Sequence, residues 1–202
     1  MNLYLGKHVE AYKALCELKD EGKIKTLGVS NYAVEDYKEL VEAGVDPLPA
    51  INQIEINPFL YRKNTIDFFQ GEGVVMQSYR SLRDGKAFTD PTLMSIAEKY
   101  GKTTAQILGR WCIEKKCVYI PKSVKIERMK ENAEVFDFSL SSEDIEQLDS
   151  LTTPAAIETF QGLYRKCGKF FLNNFIYITL YSNCFFFQKL TEIHQRTGHL
   201  MA

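Results

Sequence analysis

The chain has 202 residues, 45% of them hydrophobic and 25% charged, with a formal net charge of −1. Those are ordinary globular proportions, long enough for one sizeable core. The near-neutral balance leaves no electrostatic footprint for nucleic acid or an anionic membrane, so neither is expected as a partner. Five cysteines (Cys16, Cys112, Cys117, Cys167, Cys184) form no CxxC pair and no zinc-ligand spacing with histidine. Their dispersed placement fits a reducing cytoplasm better than a disulfide scaffold. MNLYLGKHVE, at the N-terminus, lacks the apolar run of a signal peptide.

In chain order, Val9, Tyr12, Leu15 and Leu18 form a helical stripe that stops at Gly22. Ile24–Val29 reads as a short strand, followed by Ser30–Asn31 and an amphipathic helix from Ala33 to Ala43. Pro49–Ile56 is a second strand, broken by Asn57–Pro58. A helix over Asn64–Gln70 then leads to Val74–Ser78, a third strand, apolar as a strand covered on both faces should be. Asp90–Pro91 is an N-cap with proline at the first helical position, opening a helix to Tyr100 that ends at Gly101. Thr103 and Gln106 have the spacing of a capping box for a helix through Lys115. Cys117–Ile120 is a fourth strand, and Ser141 with Asp144 caps one more helix, to Leu151. Short apolar strands alternating with helices predict a parallel α/β sheet. Four such units make half of a (β/α)₈ barrel, and an open doubly wound sheet uses the same pattern.

From Gly168 the texture changes. GKFFLNNFIYITLYSNCFFFQK is crowded with phenylalanine, tyrosine and asparagine and shows no helical stripe. Phe170–Phe187 approaches the lower length limit of a membrane span, but Asn173, Asn174, Ser182 and Asn183 interrupt it. A strand segment is the expectation there. Residues 1–167 are therefore taken as one structural unit and residues 168–202 as an atypical aromatic-rich tail. His194 and His199, both in that tail, make too small a set for a metal site, and none is expected.

One stretch carries chemistry by its spacing alone. IPKSVKIERMKEN, from Ile120 to Asn132, reads as a strand end, a turn and a helix. Arg128, Glu131 and Asn132 stand at i, i+3, i+4 and share a helix face. Lys122 and Arg128 beside a helix N-terminus suit a phosphate, because the free N–H groups and the dipole favour an anion there. Arginine adds a planar fork for paired phosphate oxygens. The plainer alternative is a solvated charged helix with Ser123 as its N-cap.

IPKSVKIERMKENAEVFDFSLSSEDIEQLDSL closely resembles the C-terminal segment of the aldo-keto reductases. GVSNY at Gly28–Tyr32 and INQIEINPFL at Ile51–Leu60 match the same family in order and approximate spacing. The resemblance covers roughly the first four-fifths of this chain and the second half of a typical member. It decides for a partial (β/α)₈ TIM barrel, with ligands at the C-terminal strand ends. It implies an NADP(H) cofactor: Ser30, Asn31 and Gln53 holding the nicotinamide carboxamide and Tyr79 stacking on its ring. Lys122, Ser123 and Arg128 would hold the 2′-phosphate, and Glu131 and Asn132 the adenine. The positive pair argues for NADPH over NADH, since NAD sites favour an acid there.

For each of these residues a purely structural role is available: Ser30 or Asn31 as helix caps, Gln53 as a strand amide, Tyr79 as a half-buried phenol. The family usually reads serine–proline where this sequence has Arg80–Ser81, a departure in the pyrophosphate loop. The family's catalytic aspartate, tyrosine, lysine and histidine come from the barrel's N-terminal half, and no residue here matches them. Tyr4, Lys7 and His8 are the right types out of register. The chain therefore reads as a truncated reductase, inactive alone, whose full-length form reduces a small carbonyl substrate. The alternative is a non-catalytic NADP-binding or interaction module. Four parallel strands by themselves leave two open edges, so self-association through those edges is expected.

Overall fold

The computed structural model describes residues 7–158 and the backbone of 176–179. Four parallel strands, β1 (Thr26–Ser30), β2 (Ile51–Glu55), β3 (Val75–Tyr79) and β4 (Val118–Tyr119), stand side by side in chain order. Helices connect them: α1 (Lys7–Asp20) precedes β1, α2 (Val34–Glu42) and α3 (Lys63–Gly71) follow β1 and β2, and α4 (Pro91–Tyr100) and α5 (Thr104–Glu114) lie between β3 and β4. Beyond β4 come α6 (Ile126–Ala133) and α7 (Ser142–Asp149). This is the expected α/β sheet of four strand–helix units.

The helix signals act as the sequence implies. Asp90 caps α4 by accepting from the Leu93 N–H, with Pro91 behind it. Thr103 and Gln106 form a reciprocal capping box on α5, and Ser141 accepts from the Asp144 N–H to start α7. Gly101 ends α4 in the left-handed region, at φ 59°. Gly28 serves a different need, close approach: a Cβ there would stand 3.2 Å from the Ile51 Cβ and carbonyl oxygen of the neighbouring strand.

The core lies between the helices and the sheet. Leu27, Val29, Ile54 and Met76 from the strands meet Tyr12, Leu40, Phe69, Ile107 and Trp111 from the helices, all buried. Each such large apolar side chain contributes about 1.5–3 kcal/mol on burial. Two polar clamps hold the outer helices. Lys99 and Tyr100 on α4 donate to Asp144 of α7, and Trp111 on α5 and Lys115 at its C-terminal cap donate to Asp149 at the other end of α7.

The edges of the sheet depart from expectation. A fifth strand, β5 (Ile176–Thr179), pairs antiparallel with β1, matching Thr26 to Thr179 and Val29 to Ile176. The expectation of two open edges is therefore corrected at β1: its ladder groups are met by a strand from the tail. The strand anticipated within Phe170–Phe187 is present over these four residues. The rest of that segment, with Cys167, Cys184, His194, His199 and the boundary proposed at residue 168, lies outside the described residues. Among the described residues β4 is paired on one side alone, with β3. On the face opposite the core, Val75 and Val118 are exposed hydrophobics. No helix of the described residues is long and apolar enough to cross a membrane.

Candidate functional site

Parallel strands all end on one side of the sheet, so every motif at a strand end faces the same rim. Register sets the details. Ser30 is opposite Gln53, Gln53 opposite Gln77, and Glu55 opposite Tyr79. By the twofold alternation of strand side chains, Gln53, Glu55, Gln77 and Tyr79 share a face.

At this rim the predicted residues interlock. The Ser30 hydroxyl donates to the Gln53 carbonyl at 2.8 Å, and the Asn31 N–H donates to the same oxygen at 2.9 Å. Asn31 sits in the left-handed region at φ 60°, a conformation that asparagine tolerates better than most residues. The Tyr79 hydroxyl donates to Asn31 Oδ1 across 3.1 Å, which joins the ends of β1 and β3 over β2. The Gln53 amide donates to Gln77 Oε1. Ser30 and Gln53 are buried, Asn31 and Tyr79 half-buried. Asn31 does not cap α2: its N-cap is Ala33, whose N–H is taken by Asp36 at 2.8 Å.

The loop after β3 explains the departure at Arg80–Ser81. Arg80, Arg83 and Asp84 all adopt positive φ, an uncommon cluster of left-handed non-glycine residues that continues into Gly85. Arg80 bridges Glu55 at 3.1 Å and Asp84 at 2.9 Å, and these bonds raise its basicity further. The Ser81 hydroxyl is buried against Ser78, donating to its carbonyl at 3.0 Å, a bond that proline could not make. Sequence reasoning missed Gln77 and the Glu55–Arg80–Asp84 bridge. The strand period was the available signal for Gln77, because it places that residue on the Tyr79 face. No local pattern announces the bridge.

The basic stretch is built differently. Helix α6 starts at Ile126, with Lys125 as an N-cap that makes no side-chain capping bond. Ser123 is thus not the N-cap; its hydroxyl accepts from the Lys125 N–H at 3.2 Å and shapes the turn before the helix. Lys122 and Arg128 are exposed, and neither forms an ion pair among the described residues. Glu131 is half-buried. Asn132 is buried, with its Oδ1 accepting from the Tyr119 hydroxyl at 3.4 Å. An adenine contact through Asn132 therefore requires that bond to be shared or broken. Ser30, Asn31, Gln53 and Tyr79 likewise have side-chain bonds of their own, while Lys122, Ser123, Arg128 and Glu131 lie before or on α6.

The set suits a dinucleotide at both ends. Amide and hydroxyl groups at the rim match a carboxamide, which both donates and accepts, and two unpaired cations suit a phosphate. No group of three or more His, Cys, Asp or Glu side chains among the described residues could hold a metal ion.

Comparison with known proteins decides the family. The family model described as "Aldo/keto reductase family" matches residues 6–153. The chain belongs to the aldo-keto reductase family. It is 40% identical over 157 residues to the uncharacterised oxidoreductase YtbE of Bacillus subtilis, covering 75% of this chain and 56% of that protein. It is 38% identical to the glyoxal reductase of the same bacterium, over 72% of this chain and 52% of that one. Among solved structures, a variant of Gox0644 in complex with NADPH superposes with a TM-score of 0.69 at 35% identity, over 73% of this chain and 54% of that chain. The aldose reductase of Schistosoma japonicum gives 0.68 at 31%, over 75% and 52%. This chain spans about half the length of the curated relatives it matches. The aldo-keto reductase family uses NADP(H), and its fold is the barrel of which these four parallel strands are a part.

Proposed function

We propose that this aldo-keto reductase chain holds NADP(H) for the reduction of an aldehyde or ketone, and that by itself it does not complete the reaction. The observation that carries the reading is placement. Ser30, Asn31, Gln53 and Tyr79 cluster at the C-terminal side of adjacent parallel strands, and Lys122 and Arg128 follow β4 in the turn and helix beyond it. Ser30, Asn31 and Gln53 would orient the carboxamide, and Tyr79 would cover one face of the nicotinamide. Lys122, Ser123 and Arg128 would meet the 2′-phosphate, with Glu131 and Asn132 toward the adenine. Bound there, the cofactor supplies a hydride; these residues fix which face of it is presented.

Carbonyl reduction also needs a proton donor within about 3 Å of the developing alkoxide. On this reading no residue of the chain matches the family's aspartate, tyrosine, lysine and histidine. The carbonyl substrate belongs to a form that contains them, and the cytoplasm is the compartment expected for both. NADPH added to the purified chain should quench its fluorescence saturably, and substrate-dependent NADPH oxidation should stay at the level of a Lys122→Ala control. No saturable quenching would overturn the nucleotide reading. Turnover above the control would overturn the predicted inactivity and leave the binding site standing.

The second reading, a non-catalytic NADP-binding or interaction module, is favoured by the Glu55–Arg80–Asp84 bridge, which ties down the loop after β3 without a ligand. Arg80→Ala separates the two. A loop that must open around the pyrophosphate gains affinity when the bridge is removed; a fixed module loses stability with no gain.

A further inference from the structure

Tyr119 ends β4 against a point of α5 that has no side chain. A Cβ at Gly109 would stand 2.9 Å from Tyr119 Cε1 and Cζ and 3.2 Å from the hydroxyl, closer than packed atoms sit. Gly109 therefore makes room for this ring, inside a helix where glycine is otherwise unfavourable. Seated there, Tyr119 reaches α6, and its hydroxyl donates to Asn132 Oδ1 at 3.4 Å. Burial, helped by Cys112 and Glu131, pushes the phenol's pKa up, so the hydroxyl keeps its proton and remains a donor. Tyr119, Ser123 and Asn132 line one concavity of about 680 Å³. Ser123 and Asn132 are both assigned above to the adenosine half of the cofactor.

We propose that Tyr119 is a positioning residue that relaxes the choice of purine at the adenine end, by holding the Asn132 amide as a donor. This rests on the cofactor reading above. An unconstrained asparagine reads the 6-amino group and N7 of adenine together: its oxygen accepts from the amine and its NH₂ donates to the ring nitrogen. Here Oδ1 already holds the Tyr119 hydroxyl. The amine must share or displace that bond, whereas the NH₂ carries no such constraint. A donor suits N7, and it suits a 6-oxo purine as well as a 6-amino one, because hypoxanthine presents acceptors at both positions. Glu131, also assigned to the adenine, can accept from the amine whatever stands at 119. Its share is common to every Tyr119 variant and cancels when they are compared.

Fluorescence titration of the full chain with NADPH, and with its analogue carrying hypoxanthine in place of adenine, tests this. Tyr119→Phe keeps the ring against Gly109 and removes only the hydroxyl. It should raise the preference for NADPH over the analogue about two- to tenfold, the value of one neutral hydrogen bond, at unchanged circular dichroism. Asn132→Asp, with Tyr119 in place, exchanges the NH₂ for an acceptor and should raise the preference in the same direction. In an Asn132→Ala background, Tyr119→Phe should leave the preference unmoved. A purely structural tyrosine would change both affinities alike; an unshifted preference in Tyr119→Phe therefore overturns the proposal and leaves the cofactor reading standing. A shift that persists in Asn132→Ala, or an Asn132→Asp chain with no shift, overturns it too. If neither dinucleotide binds the unsubstituted chain, the cofactor reading falls and the proposal falls with it.

Discussion

At the ends of β1–β3 the candidate ligand-binding groups are buried or half-buried and already bonded to one another, whereas Lys122 and Arg128, before and along α6, are exposed and form no ion pair among the described residues. The first region is set in place by the fold itself. Ser30 and Asn31 share one carbonyl of Gln53, and Tyr79 reaches Asn31 across β2. Such a network costs little further entropy when a ligand arrives, but a ligand group must match bonds already made. The second region has long charged side chains, Lys122 and Arg128, that form no ion pair among the described residues. It gives strength and salt dependence, and it pays in ordering when bound. The contrast predicts that specificity for the nicotinamide lies in the strand ends and that most affinity lies in Lys122 and Arg128.

The largest effect expected from that division is on Arg128→Ala. Losing hydrogen bonds to a charged group costs about 1.5–3 kcal/mol, so NADPH affinity should fall roughly 10- to 100-fold. The melting temperature should stay where it is, because Arg128 is exposed and forms no ion pair among the described residues. Fluorescence titration at two salt concentrations checks both halves of the statement, since the variant should also show a shallower salt dependence. A large loss of melting temperature would mean that α6 is held by its charges and that the comparison between the two regions is wrong.

A buried polar network remote from the rim sharpens the comparison by showing what a purely structural one does. Burial by itself would raise the Asp144 carboxyl, but hydrogen bonds from Lys99, Ser141 and Tyr100 outweigh it and hold the group at about 2. A carboxyl held below its unfolded value, near 4, stabilises the fold above that value and loses the contribution as pH falls through about 2. Asp144→Ala should therefore cost about 1–3 kcal/mol at neutral pH. Most of that comes from the Ser141 and Tyr100 bonds, because Lys99 is largely exposed and its pairing is screened. The cost should shrink as pH falls from about 4 toward 2, and chemical denaturation at several pH values would follow it. NADPH affinity should not change.

Much of this was legible in the residues and some was not, for reasons that differ by element. Four parallel strands and seven helices could be placed because their signals are local: Asp90–Pro91, the Thr103–Gln106 box, the Ser141 cap and the apolar runs of β1–β3. Eight of the nine candidate cofactor positions came from three motif blocks and Tyr79 from the end of the third strand; the strand register sets Ser30 opposite Gln53 and Tyr79 opposite Glu55. What escaped was non-local. The pairing of β5 with β1 joins residues separated by some 150 positions, and no period within either segment specifies a partner. The Tyr119–Asn132 bond depends on how α6 folds back over β4, which the spacing of Arg128, Glu131 and Asn132 does not encode. The plainer alternative, Ser123 as a helix cap, fails because the turn Ser123–Lys125 imitates the first turn of a helix in sequence, while α6 starts two residues later with Lys125 as its N-cap.

The smallest predicted effect is the most discriminating. Tyr79→Phe keeps the aromatic face that would cover the nicotinamide and removes only the hydroxyl that donates to Asn31. If the bond is structural, stability falls by about 0.5–1.5 kcal/mol, the ordinary net value of a hydrogen bond, and NADPH affinity is unchanged. If the bond serves to aim Asn31 at a carboxamide, stability changes little, because Asn31 is half-buried and water can take the place of the phenol. Affinity for NADPH then falls several-fold. The 2′-phosphate ADP fragment, which lacks the nicotinamide, binds as before. Titrating both ligands into the same variant separates these outcomes without requiring turnover. A loss common to NADPH and the fragment would place the effect at the α6 end and remove the strand-end cluster from the nicotinamide site.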